Sequence, residues 1–281
     1  MSTVDRWPSG PQRRRPGTRE KLRIYASLLR EYVVVNLKGE MEFRASFISQ
    51  IIFMMLNNLF AMFFWLVFFS KFHEIRGWGS RDVLLLWAVG AASFGIANGI
   101  CGNCMRLHRL ITDGQLDYYL TLPKNTLFQL LVSRMSPSSW GDALFGIILG
   151  LVVLRGATAY ATYAVVLLLS ATVLLSFCVI LGSIAFWTGS AEGIFSTAIN
   201  ALISFTLYPE ALFTGVIRVV LFTALPAGFI TYVPVSLLRH FDWGRLGILA
   251  AAAVTLMALA SWVFGRGLRR YESGNLIVMR M

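Results

Sequence analysis

Cys101 and Cys104 stand as CxxC, the spacing of a redox pair or of half a zinc site. Asp113 and Asp117 lie one helical turn apart with His108 nearby, a set that would suit Mg²⁺-assisted transfer at a membrane surface. Neither set is completed. A structural zinc needs four ligands, and the chain offers only Cys178 and three scattered His besides, so no metal site is expected. The cysteines read instead as small residues for helix packing. Two carboxylates are fewer than membrane-embedded transferases gather, and Asp113 precedes Gly114, where a turn or helix cap favours Asp. GxxxxGK[ST], GxSxG, HExxH and an EF-hand loop are all absent. No catalytic constellation is left, and nothing in the sequence would hold ATP by a phosphate loop.

A second group of polar residues sits inside apolar runs. Asp142 lies about two turns into the run 137–154, where a carboxylate costs a few kcal/mol unless paired. It reads as an interfacial acid bonded to a neighbouring helix or to Arg134, with a proton or substrate site as the alternative. Asn57, Asn58, Asn200 and Ser204 read as interhelical hydrogen-bonding groups, each contributing about 1 kcal/mol, with the lining of a transport path as the alternative. Glu192 opens another run, where a carboxylate favours the helix N-terminus. Glu210 closes that run just after Pro209.

These residues must be positioned by membrane helices. Hydrophobic residues make up 57% and charged ones 14%, with a mean hydropathy of +0.66, which excludes an ordinary soluble domain. Apolar runs at 45–69, 83–101, 137–154, 161–187, 193–208 and 246–265 give six spans, against a requirement of roughly 20 residues each. Before them, 20–38 places Leu22, Tyr25, Leu28, Leu29, Tyr32 and Val33 at helical spacing between charges, an amphipathic helix for the lipid interface. Residues 1–19, rich in Pro, Gly, Ser and Arg, read as a disordered basic tail, and 273–281 as a short C-terminal tail. The whole of 20–272 is one all-α membrane domain.

The formal net charge of +11 raises nucleic acid as a partner, but the basic residues flank apolar spans and suit anionic lipid instead. With six spans and a cytoplasmic N-terminus, 18 of the 25 Lys and Arg fall on the cytoplasmic side. A seventh span over 219–238 would put Arg266, Arg269, Arg270 and Arg280 outside. Pro226, Gly228 and Pro234 also interrupt that segment, so 210–243 reads as a re-entrant helical hairpin dipping from the outer face. Both termini are then cytoplasmic, in a plasma membrane protein.

The largest polar break between spans is 102–135, a folded knob with a basic lead-in, an Asp113-Gly114 turn, an amphipathic helix over 115–122, a stop at Pro123 and a second amphipathic run to Arg134. Its string Leu110-Ile111-x-x-Gly114-x-Leu116-Asp117-x-x-Leu120-x-x-Pro123 resembles the cytoplasmic loop between the second and third spans of type-2 ABC exporter permeases. Asp117 stands where that family usually has Glu, and Gln115 where it has Thr. Ala185-Phe186-Trp187 followed by Ala191-Glu192-Gly193 is similar to the branch with two dissimilar permeases beside one ATPase. The likeness extends over roughly 22–272 in its span count, N-terminal helix and broken outer hairpin.

The resemblance implies the transmembrane subunit of an ATP-driven exporter of hydrophobic or amphipathic substrates. A second permease, identical or dissimilar, would pair with it, and an ABC ATPase subunit would supply ATP and Mg²⁺, since this chain binds no cofactor of its own. The loop helix would be a coupling helix docking in a groove of the ATPase. By the same likeness Gly114 makes the tight lead-in turn, Leu116 and Leu120 fill the groove, Asp117 meets its rim and Pro123 ends the helix. The rival classes are a secondary transporter driven by an ion gradient, a membrane-embedded enzyme, and a non-transporting membrane partner. A secondary transporter would want more intramembrane carboxylates and a visible repeat.

Overall fold

In the computed structural model, which describes residues 17–271, the chain is almost entirely helical. The helices are α1 (Thr18–Glu42), α2 (Arg44–Lys71), α3 (Ser80–Ile100), α4 (Leu107–Thr112), α5 (Leu116–Leu120), α6 (Thr126–Val132), α7 (Ser139–Val153), α8 (Ala157–Ser183), α9 (Ala185–Thr188), α10 (Glu192–Thr206), α11 (Val216–Val220), α12 (Val233–Arg239) and α13 (Trp243–Leu268). A two-residue hairpin, β1 (Glu74–Ile75) with β2 (Trp78–Gly79), joins α2 to α3. The C-terminal tail and most of the basic N-terminal tail lie outside the described residues.

Each of the six apolar runs becomes a helix within a few residues of its predicted ends, but their lengths differ. Four are long and apolar enough to cross a membrane: α2, α3, the segment Ala157–Thr188, and α13. The other two, α7 and α10, have 15 residues each and extend only about 22 Å, short of a hydrocarbon core of about 30 Å. The run 161–187 is broken at Ile184, where α8 gives way to the single turn of α9.

α3 and α8 form the centre, with 72% and 61% of their most apolar windows buried, whereas α2 and α13 bury 17% each and make outer walls. The tightest seam joins α3 to α7. A Cβ on Gly95 would sit 2.2 Å from the Ala143 nitrogen, and one on Gly146 would sit 2.4 Å from that of Ala92. Backbones approach this closely only where side chains are absent, the packing mode that small residues provide between membrane helices. Tyr163 of α8 ties the seam down, donating its hydroxyl to the Gly146 carbonyl at 2.7 Å and the Ala88 carbonyl at 3.3 Å.

The helix ends gather at two poles. At one, residues 102–135 meet α1, the start of α10 and the end of α13. At the other, the β-hairpin meets the broken segment 210–239. That segment comprises α11, a π-helical turn at Gly228–Tyr232 and α12, folded back on itself with Phe222 against Gly228. Its backbone is paired locally, through Leu225 to Val220 and Gly228 to Leu221.

Candidate functional site

The knob is built from α3's end outward. A 3-10 turn, Gly102–Arg106, follows α3, and α4 continues it with Leu107 fully buried and Leu110 and Ile111 nearly so. α4 ends in a Schellman motif: Gln115 N–H donates to the Leu110 carbonyl at 3.0 Å and Gly114 N–H to that of Ile111 at 3.3 Å. Gly114 holds φ +72°, a conformation that costs glycine little and other residues more, so the sharp turn predicted there is present. Asp113 caps the helix rather than facing a reaction centre.

The two leucines of the loop motif part company. Leu116 is fully buried, while Leu120 is 44% exposed and its neighbour Tyr118 67%. Four-residue spacing on an α-helix would put both leucines on one face. Here the helix is a single α-turn, with three-residue bonds at its two ends, Asp117 to Gly114, Thr121 to Tyr118 and Leu122 to Tyr119. Over so short a helix burial sorts the faces, with Leu116, Tyr119 and Leu122 turned inward and Tyr118 and Thr121 outward. Leu116 is therefore an anchor of the knob. Its presented tip is Tyr118, Leu120 and Pro123, flanked by Asp113, Gln115 and Lys124, all exposed.

The knob is braced on every side. Asn103, itself buried, donates to the Leu130 carbonyl at 2.8 Å and to Ser133 Oγ at 2.9 Å, and Tyr119 shares a 2.8 Å hydrogen bond with Ser133. α1 lies against α6, with Tyr25 edge-on to Phe128 at 5.1 Å and Asn36 donating to the Val132 carbonyl at 3.3 Å. Arg109 forms an ion pair with Glu192 at the start of α10. His108 is buried against Phe195 of the same helix, 4.5 Å between ring centres. Burial, and after it the Arg109 charge, hold that imidazole below the ordinary histidine range. Asp117 couples to Tyr271, just past α13; burial first, then the Asp117 carboxylate, push the phenol up to about 12. Tyr271 in turn packs edge-on to Phe186 of α9 at 6.1 Å.

The intramembrane polar residues fall into two groups. Asn58 and Asp142 meet: Asn58 Nδ2 donates to Asp142 Oδ1 at 2.6 Å, both nearly buried, joining α2 to α7. They line a cavity of about 250 Å³ together with Asn57, Trp87 and Thr206. Asn200 and Ser204 are exposed on α10, where Ser204 donates to the Asn200 carbonyl at 2.8 Å. Glu210 lies at the other pole, paired with Arg218 at 2.7 Å. The CxxC thiols are buried, and Cys104 donates to Asn98 Oδ1 at 3.2 Å. No cluster of three or more His, Cys, Asp or Glu suited to a metal occurs among the described residues.

A family model described as ABC-2 family transporter protein matches residues 33–274. The chain belongs to that family. As an ABC-2 protein it is a multi-pass permease of an ABC transporter, a transport component that works with an ABC ATPase. No curated protein and no solved structure matches the chain. Sequence reasoning passed over Tyr118, the most exposed apolar residue of the loop tip, because the family motif treats its position as free. It also read Glu192 and the basic lead-in of the knob without joining Glu192 to Arg109, since 83 residues separate the two.

Proposed function

We propose that this ABC-2 permease is the membrane half of an exporter whose ATPase is a separate chain docking on the tip formed by Tyr118, Leu120 and Pro123. The observation that carries this reading is the tip itself: apolar, exposed, and set on a knob tied to α1, α6, α10 and the end of α13. A surface for transmitting force needs that combination, because a displacement of the partner reaches the membrane only through rigid connections. Asp117 lies beside the tip as a positioning residue that ties it to Tyr271. ATP and Mg²⁺ belong to the partner subunit, and this chain is not an enzyme.

In this reading all six apolar helices cross the plasma membrane, α7 and α10 being extended by their flanking turns. α1 lies in the cytoplasmic interface, both termini are cytoplasmic, and 210–243 re-enters from outside. A second permease, identical or dissimilar, covers the exposed faces of α2 and α10, where Asn57, Asn200 and Ser204 otherwise meet lipid. The substrate is hydrophobic or amphipathic and leaves the cytoplasm. The test is co-purification of the ATPase with the tagged chain. Tyr118→Asp and Leu120→Asp should each reduce recovery of the ATPase at least tenfold while membrane insertion persists. Undiminished recovery with both would overturn the docking surface.

A further inference from the structure

We propose that the cavity between α2, α3, α7 and α10 binds a protonated amine carried on an apolar body, with Asp142 supplying the counter-charge. This names a substrate class for the export reading and rests on it. Asp142 is 5% exposed, and its carboxylate receives one hydrogen bond, from a neutral amide, on Oδ1. Oδ2 has no hydrogen-bond partner among the described residues. Across the same cavity Trp87, also 5% exposed, holds its indole Nε1 unsatisfied. Among the described residues no Lys, Arg or His lines the space, and its remaining walls include Met54, Phe94 and Leu207.

A buried acid at membrane depth is normally matched by a cation of the protein. Here the fold leaves that place empty of protein charge and leaves about 250 Å³ beside it. A proton alone would neutralise Asp142 but would need no cavity. An ammonium group beside the Asp142 carboxylate would supply the missing counter-charge, and its apolar body would fill the rest of the space against Trp87, Phe94 and Leu207. In the single chain the cavity opens past Asn57 and Ala61, both exposed on α2, the face that a second permease would cover in the assembled exporter.

The experiment is equilibrium dialysis of the purified full-length chain against 1-naphthylmethylamine and its uncharged counterpart 1-naphthylmethanol, without ATPase. The native chain should bind the amine at least tenfold more tightly than the alcohol. Asp142→Asn keeps an acceptor for Asn58 and should abolish that preference. Asn57→Trp, at an exposed position where folding is undisturbed, should block both ligands by filling the mouth. Equal binding of amine and alcohol by the native chain would overturn the proposal. So would a preference that survives Asp142→Asn, or binding that ignores Asn57→Trp. Because the ATPase takes no part, failure here leaves the docking reading standing, and failure of co-purification leaves this site to be judged by its own result.

Discussion

The two poles of this permease are held together by different chemistry. The knob pole is closed mainly by buried leucines and neutral hydrogen bonds, Leu107, Leu116 and Leu130 being fully buried with Asn103, Ser133 and Tyr119 joined beneath them, and the Arg109–Glu192 ion pair adds one charged contact at its edge. The opposite pole is closed by arginines. Arg239 Nε meets Asp82 Oδ1 at 2.6 Å while its guanidinium lies 4.3 Å from the Trp78 ring centre, Arg76 donates to the Ala211 carbonyl at 3.0 Å, and Arg218 pairs with Glu210. Packed apolar contacts are many, short-ranged and hard to undo singly. An ion pair at a wet surface is a single contact that can be exchanged for water at small cost. A packed block and a set of separate polar contacts thus stand at opposite ends of the helices.

Substitutions separate the two kinds of closure. The largest effect is expected from Leu116→Asp, which puts a carboxylate into a fully buried site and should cost more than about 4 kcal/mol, seen as loss of folded protein by fluorescence-detected size exclusion. Its contrast with the folded but ATPase-free Leu120→Asp chain is the sharpest measure of anchor against tip. If Leu116→Asp is recovered folded, the knob is not the packed block described. Arg239→Ala comes next. It removes a charge-assisted hydrogen bond and a ring contact and should lower stability by about 2 kcal/mol, read as a lower thermal midpoint. ATPase co-purification should not change, and a loss of it would join the two poles that the comparison keeps apart.

The smallest effect is a pH dependence at the knob. His108 has a depressed pKa in the folded chain, so the unfolded chain binds its proton first as pH falls. Stability attributable to this residue is thus present above about pH 6.5, the unfolded value, and is lost as the pH drops below it. His108→Phe keeps a ring against Phe195 and removes the proton. Its thermal midpoint should fall less between pH 7 and pH 5.5 than that of the native chain. Equal slopes would show that the knob's acid sensitivity lies elsewhere.

The sequence told where apolar runs begin and end, because length and charge decide that locally. Each of the six became a helix, and Pro226, Gly228 and Pro234 marked a segment that breaks, whereas nothing marked the break of 161–187 at Ile184. It did not tell which faces meet. Asn58 and Asp142 were each legible as polar groups in apolar runs, but their pairing depends on how α2 and α7 are rotated, 84 residues apart. The split between Leu116 and Leu120 was hidden for another reason. Apolar or aromatic residues at 116, 118, 119, 120 and 122 satisfy a three-residue and a four-residue period equally, and only the packing around this single helical turn decides which of them is covered.

The glycine seam between α3 and α7 has a mechanical consequence. These are the helices that lead into the knob and away from it, and at Gly95 and Gly146 their backbones leave no room for slip. Knob, α3 and α7 therefore behave as one stiff crank, with no compliance between handle and shaft. Asp142 rides on that crank, and beside it Gly141 brings α7 close to the backbone of α2, the outer helix that carries Asn58, with a Cβ there falling 2.5 Å from the Ile51 carbonyl oxygen. In the docking reading proposed above, a stroke delivered at Leu120 would reach α2 through this contact, with the 2.6 Å hydrogen bond between Asn58 and Asp142 on its path.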